Sequence, residues 1–197
     1  MNIHDTALVN GKIIALNGPR EQTLASPLTG QDGRRTRHGD DTDIDAAVKS
    51  AHAAFTSWSQ TDADTRRKVI EALAAKIEER ADDLAAAIHA EVGTPEKISK
   101  AVQAGLPVHV LRGFAADLDA ALAPEIIAHS TVSYRPIGVI AAITPWNYPL
   151  HQAMAKIGAG LAAGCTLVVK PSDLTPRTNA LMMEILAETT PPGTVNV

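Results

Sequence analysis

A single cysteine, Cys165, stands in the 197-residue chain, so no intrachain disulfide can form and the fold must hold by packing alone. That usage fits a reducing compartment, and a cytoplasmic location is expected. Aromatic residues make up only 3% of the chain against 45% hydrophobic residues in all. The core must therefore be built from small aliphatic side chains, which suits helices laid closely on a parallel sheet. No apolar run approaches the roughly 18 residues of a membrane span. The opening MNIHDTALVNGK has neither the basic nor the apolar section of a secretory signal. No membrane association or export is expected. Positive charge is not in excess either: a net charge of −4 offers no long-range attraction for nucleic acid, and no nucleic-acid partner is expected. Arg34, Arg35 and Arg37 lie in a loop-like stretch between Gly33 and Gly39 and read as a solvated patch. None of the histidines is paired with another ligand at metal-binding spacing, so no metal is expected.

What is present is ordered by period. Residues Ala7 to Arg37 mix short apolar stretches with the turn signals NGK, NGP, SPLTG and DGRR, the pattern of a β arm. From Thr42, a candidate N-cap, the residues Ile44, Ala47, Val48, Ala51, Phe55 and Trp58 fall on one helical face. A second helical stretch places Ile70, Leu73, Ile77, Leu84 and Ile88 on its apolar side and stops at Gly93. Thr94 and Pro95 read as the cap and first turn of a third helix through Ile98, Val102, Leu106, Leu111 and Phe114, which Pro107 should kink or split. After Pro124, the stretch Thr131 to Tyr134 reads as an exposed ribbon strand in need of a partner.

The last third is the most informative. VIAAI after Gly138 is a continuous apolar run, the signature of a strand buried on both faces of a parallel sheet. Pro149 opens a helix whose Gly158, Gly160 and alanines permit close approach to that sheet. TLVVK is a second buried strand, Thr175-Pro176 starts another helix, and TVNV begins a third strand. The order βαβαβ predicts neighbouring parallel strands with ligands beyond their carboxyl ends. Two polar motifs stand there, TPWN and KPSD. Lys170 offers a cation and Asp173 acceptors, a combination suited to ribose hydroxyls or a ribose phosphate. Asn147 offers an amide donor that cannot titrate, useful where an oxyanion develops. No glycine-rich dinucleotide fingerprint is present.

These motifs carry a resemblance. PIGVIAAITPWNYPL, AAGCTLVVKPSDLTP and PPGTVNV, in this order and spacing, resemble the aldehyde dehydrogenase superfamily, and so do SPLTG, DIDAAVKSAHAAFTSW and EERADDLAAAIHAEVGTP before them. The likeness covers nearly the whole chain. It implies an α/β fold: an N-terminal β arm and helices over residues 1–123, an oligomerisation-type strand over 124–137, and an incomplete parallel βαβαβ dinucleotide-binding layer over 138–197. It implies NAD or NADP as cofactor, a small-molecule aldehyde as substrate, and association into a homo-oligomer or with a complementary chain. By that resemblance Asn147 is the oxyanion-hole asparagine, and Ile143, Thr144, Pro145 and Trp146 contact the cofactor. Lys170 and Asp173 hold the adenosine ribose, with Ser172 close enough to help. Many members carry Glu where this chain has Asp173, which leaves the choice between NAD and NADP open. Lys156 matches a lysine found near the catalytic centre but reads equally well as a helix-surface residue.

The family's chemistry needs a cysteine nucleophile and a glutamate that activates water. Both are expected beyond the end of this sequence. Cys165 stands at the start of TLVVK, about 15 Å from the carboxyl end of that strand at about 3.3 Å per residue, and reads as a small buried apolar residue. His151 reads as a helix-start residue rather than a base. Ile140, Val168, Val169 and Val195 are expected to face an incomplete layer. Two functions follow: the N-terminal part of an NAD(P)-dependent aldehyde dehydrogenase, inactive by itself, or a non-catalytic partner that pairs with a full-length relative through the strand around Ser133.

Overall fold

The computed structural model of the chain describes residues 3–197. Its amino-terminal arm is β, as the turn signals predict. β1 (Ile3–His4) lies parallel to β5 (Asp32–Arg37), which pairs antiparallel with β4 (Glu21–Ala25) across the SPLTG turn. β2 (Thr6–Val9) and β3 (Lys12–Ala15) form a separate hairpin. Asn10 and Gly11 make its two-residue turn with φ of 53° and 72°, the positive pair a type I′ turn demands.

Helix α1 (Asp41–Trp58) is capped two residues earlier than the sequence suggests. Asp40, not Thr42, accepts from the amides of Thr42 and Asp43, and the Asp43 carboxylate accepts in return from the Asp40 amide. This reciprocal capping box satisfies donors that a lone threonine would leave free. Asp43 also accepts from the Asn17 and Gly18 amides, which fastens the NGP stretch to the helix start. Ala47, Ala51 and Trp58 are buried, but Ile44 and Val48 are exposed, so the packed face is rotated from the one expected.

The second stretch divides into α2 (Ala63–Glu79) and α3 (Ala81–Val92), because Arg80 leaves helical geometry with φ −97° and ψ 16°. All five predicted apolar residues of this pair are fully buried. Gly93 ends α3 in the left-handed conformation at φ 78°. Pro95, rather than Thr94, caps the short helix α4 (Glu96–Ile98). A π-helical segment, Ser99–Ala104, then leads into α5 (Gly105–Leu122). The disruption lies just ahead of Pro107, whose ring and missing N–H cannot continue the α ladder to the preceding turn. Ile98, at the end of α4, and Val102, within the π-helical segment, face outward, contrary to the simple period; for Val102 the reason is that its segment is not α-helical.

β6 (Glu125–Ile127) and β7 (Ser130–Val132) make a two-stranded hairpin whose residues are all exposed. The strand predicted around Ser133 ends at Val132, and its partner is the segment immediately before it. The chain then enters the parallel sheet. β8 (Val139–Ile143), α6 (Pro149–Ala162), β9 (Thr166–Lys170), α7 (Pro176–Thr189) and β10 (Val195–Asn196) give the sheet order β10-β9-β8 with every pair parallel, as the βαβαβ reading requires.

Successive residues of β9 show how both sheet faces are covered. The Thr166 hydroxyl donates to the Ala51 carbonyl of α1, whereas Leu167 meets Gly160 of α6, where an added Cβ would stand 3.0 Å from its methyls. Gly158 faces α5 instead, where a Cβ would lie 2.7 Å from Leu111 and Phe114. Val169 and Val195 are therefore buried rather than facing an open layer, and Ile140 and Val168 are partly covered. The outer edge of β10 is also closed: Leu8 and Val197 exchange two backbone hydrogen bonds of 3.0 and 2.9 Å. On the other edge, among the described residues, no strand pairs with the outer side of β8. One hydrophobic core runs through these layers, from Leu8 through α2, α5 and α6 to Val195. No described helix is long and apolar enough to cross a membrane.

Candidate functional site

The register of the sheet brings the two polar motifs together. Ile143 stands opposite Lys170, and the Thr144 amide donates to the Lys170 carbonyl at 3.2 Å, so TPWN and KPSD leave the sheet side by side at one end. Ile143 is 71% exposed and Trp146 is half exposed, in keeping with ligand contacts rather than core packing. Thr144 is buried with its hydroxyl lacking a described partner. Pro145 and Asn147 lie exposed on the turn into α6, with Pro149 in the first helical turn.

The KPSD turn is internally braced. Ser172 Oγ accepts from the Leu174 amide at 3.2 Å, and Asn179 Nδ2 donates to the Ser172 carbonyl at 2.7 Å. Lys170 is exposed and Asp173 half-buried, and neither forms an ion pair with another described residue. Their charges stay available to a ligand. Lys170, Ser172 and Asp173 border a cavity of about 270 Å³ with His38, Ile44 and Asn179. The TPWN residues do not line it. The site thus has two neighbouring parts, and His38, Ile44 and Asn179 were not anticipated. Ile44 carries a signal, an apolar residue in register with Ala47 and Ala51, but that period predicts burial whereas the residue borders this opening. A second, open groove of about 760 Å³, between the α2–α3 join and the run from α4 through the π-helical segment into α5, contains none of the motif residues.

One titratable group near the motifs is set by its surroundings. Burial holds the His151 imidazole below its ordinary value, and the charge of Lys156 adds to the effect. His151 therefore favours the neutral form. Lys156 lies on α6 with Nζ 3.4 Å from the Gln152 carbonyl of its own helix. Cys165 is free and buried, one residue before β9 begins, whereas Lys170 is the last residue of that strand. Five residues of strand put the thiol at the opposite end of the sheet, about 16 Å from the motifs.

This arrangement has close counterparts. Residues 15–197 match the aldehyde dehydrogenase family. The chain is 35% identical over 196 residues to a 3-succinoylsemialdehyde-pyridine dehydrogenase of Pseudomonas sp, a match covering 96% of this chain and 40% of that protein. It is 36% identical to acetaldehyde dehydrogenase 2 of Cupriavidus necator, covering 87% of this chain and 35% of the relative. Among solved structures, a mutant of aldehyde dehydrogenase C from Pseudomonas syringae, in complex with NAD+ and octanal, superposes with a TM-score of 0.92 at 34% identity, over 98% of this chain and 40% of that one. An aldehyde dehydrogenase from Bartonella henselae gives 0.93 at 30% identity, over 100% and 42%. The chain thus spans about 40% of the length of the relatives it matches. With sequence, sheet order and motif placement in agreement, the chain belongs to the aldehyde dehydrogenase family.

Proposed function

We propose that these residues are the cofactor-side, N-terminal part of an NAD(P)-dependent aldehyde dehydrogenase that oxidises an aldehyde to a carboxylic acid, and that they do not turn over substrate by themselves. The observation that carries this reading is the pairing of Ile143 with Lys170, which brings the TPWN and KPSD motifs to the same end of the sheet while Cys165 lies at the other. The residues fit a dinucleotide. An exposed ammonium, a carboxylate and a hydroxyl border a cavity, and neither charge is spent on a described neighbour. Lys170, Ser172 and Asp173 would hold the adenosine ribose, and Ile143, Thr144, Pro145 and Trp146 would line its path. The bound dinucleotide supplies the hydride acceptor. Asn147 would donate an amide hydrogen bond to the oxyanion that forms when a thiolate adds to the aldehyde carbon, where charge develops and a fixed donor stabilises it. The Asn147 amide stays neutral at any working pH, so this donation does not depend on a proton being in place.

The Pseudomonas syringae relative is seen in complex with NAD+. Asp173 leaves NAD and NADP both admissible here, since its carboxylate is one methylene shorter than glutamate. A cytoplasmic location suits the free thiol. The test is aldehyde-dependent reduction of NAD and NADP by protein whose intact mass is that of the 197 residues. The expected result is no turnover with saturable cofactor binding. Turnover abolished by Cys165→Ser would overturn the reading.

A second reading has its own support in the hairpin of β6 and β7, where Ile126 is 82% exposed, and in Ile137, which is 88% exposed. Highly exposed apolar side chains of this kind are candidates for association. On this reading residues 124–137 join the chain to a second copy or to a full-length relative. Co-purification of two chain lengths supports it, and a monomer at all concentrations opposes it.

A further inference from the structure

Glu91 is a buried acid far in sequence from both motifs. Near the end of α3, its side chain is 1% exposed. Its Oε1 accepts from the Arg177 amide at 2.7 Å, and its Oε2 accepts from the Thr178 amide at 2.9 Å and the Thr178 hydroxyl at 2.7 Å. Arg34 of the β arm supplies a cation with Nη1 3.8 Å away. These donors belong to the first turn of α7, where the backbone has no local cap: Thr175 makes no side-chain capping bond, and Pro176 has no N–H. Helix starts attract anions because their free amides and dipole converge there. Here an internal carboxylate already fills that place.

The consequence reaches the KPSD turn. Only residues 171–175 separate the end of β9 from α7, and Asn179 in α7 holds the Ser172 carbonyl. Fixing the first turn of α7 therefore fixes the turn that carries Ser172 and Asp173, with Lys170 at its root. The start of α6 differs: Tyr148 makes no side-chain capping bond, and no described carboxylate takes its first amides.

We propose that Glu91 is a positioning residue for the nucleotide-binding turn, an internal anion that locks the start of α7 and denies that helix end to a cofactor phosphate. The functional half of this inference rests on the reading that Lys170 and Asp173 hold ribose. Glu91 touches no ligand itself. It acts through α7, from the β arm and α3 on one side to the turn on the other.

The test compares Glu91→Gln and Glu91→Ala with the wild-type chain by backbone hydrogen exchange, with and without added formate, and by titration with ADP-ribose. Gln keeps the volume and one acceptor, whereas Ala removes both acceptors and leaves a space that formate can enter. In Glu91→Ala the amides of Arg177 and Thr178 and the turn 171–175 are expected to exchange at least about tenfold faster while α6 keeps its protection, a difference readable as local opening. Formate should restore the protection, and Gln should fall between. ADP-ribose binding should weaken at least about fivefold in the Ala variant. Loss of protection in α6 and α7 together, or in neither, would overturn the proposal. Absence of ADP-ribose binding by the wild type would remove the ribose reading, and exchange alone would then decide whether Glu91 holds the turn.

Discussion

Lys170 and Asp173 are chemically available because nothing nearby consumes them, and this sets what their removal should do. Lys170→Ala deletes a cation that donates only weakly within the protein, to the Pro171 carbonyl at 3.4 Å. NAD or NADP binding should therefore weaken by about tenfold or more, the worth of one charge-assisted contact, with the thermal midpoint unchanged. Calorimetric titration beside a melting curve reads both. His151 makes a prediction about pH. Its folded-state value lies below the ordinary 6.5, so the unfolded chain takes up the proton more readily. Stability should fall as pH drops below about 6.5, down to the lowered folded value, and should be independent of this residue above that window. His151→Gln should flatten the decline seen in denaturant midpoints between about pH 7.5 and about pH 5.5. An unchanged slope would mean that the imidazole is not held neutral by the fold.

At the scale of elements, the join between α6 and β9 is set by a glycine and an arginine. Gly164 has φ +78°, and an added Cβ would lie 2.5 Å from the Arg66 guanidinium. Arg66 is buried there and donates to the Ser59 and Ala162 carbonyls and the Thr61 hydroxyl. Gly164→Ala should therefore destabilise by more than about 1 kcal/mol, since the left-handed backbone and the displaced guanidinium both add cost. Leu161→Ala, by contrast, should cost about 2–5 kcal/mol through its cavity alone. Urea denaturation separates these from neutral surface changes. Most such elements were legible in the sequence, because period and punctuation are local: Gly93, Pro149 and Pro176 each mark a boundary the structure keeps. The misses have tertiary causes. Thr42 lost the cap to Asp40 because Asp43 closes a reciprocal box and also fastens Asn17. The π-helical stretch carries Val102 outward, and Ile98 faces out from the short helix α4 before it. In the site, motif residues were readable as text, whereas Glu91, His38 and Ile44 reach it only through folding, from segments far along the chain.

The whole molecule has one core, one sheet edge closed by its own arm and another without a described partner, and an exposed apolar hairpin. Association is the expected behaviour of such a surface. Replacing Ile126 and Ile127 by Ser should shift sedimentation toward monomer while leaving the unfolding free energy within about 0.5 kcal/mol of wild type, as for surface changes. A matching loss of stability would assign the hairpin to the fold instead. The account's central claim is that these residues form the cofactor-side half of a dehydrogenase site. The most direct test is calorimetric titration of the mass-verified chain with NAD and NADP, with Lys170→Ala as control. Saturable binding that the variant weakens about tenfold or more is the predicted result, and absent binding, or binding indifferent to Lys170, would contradict it.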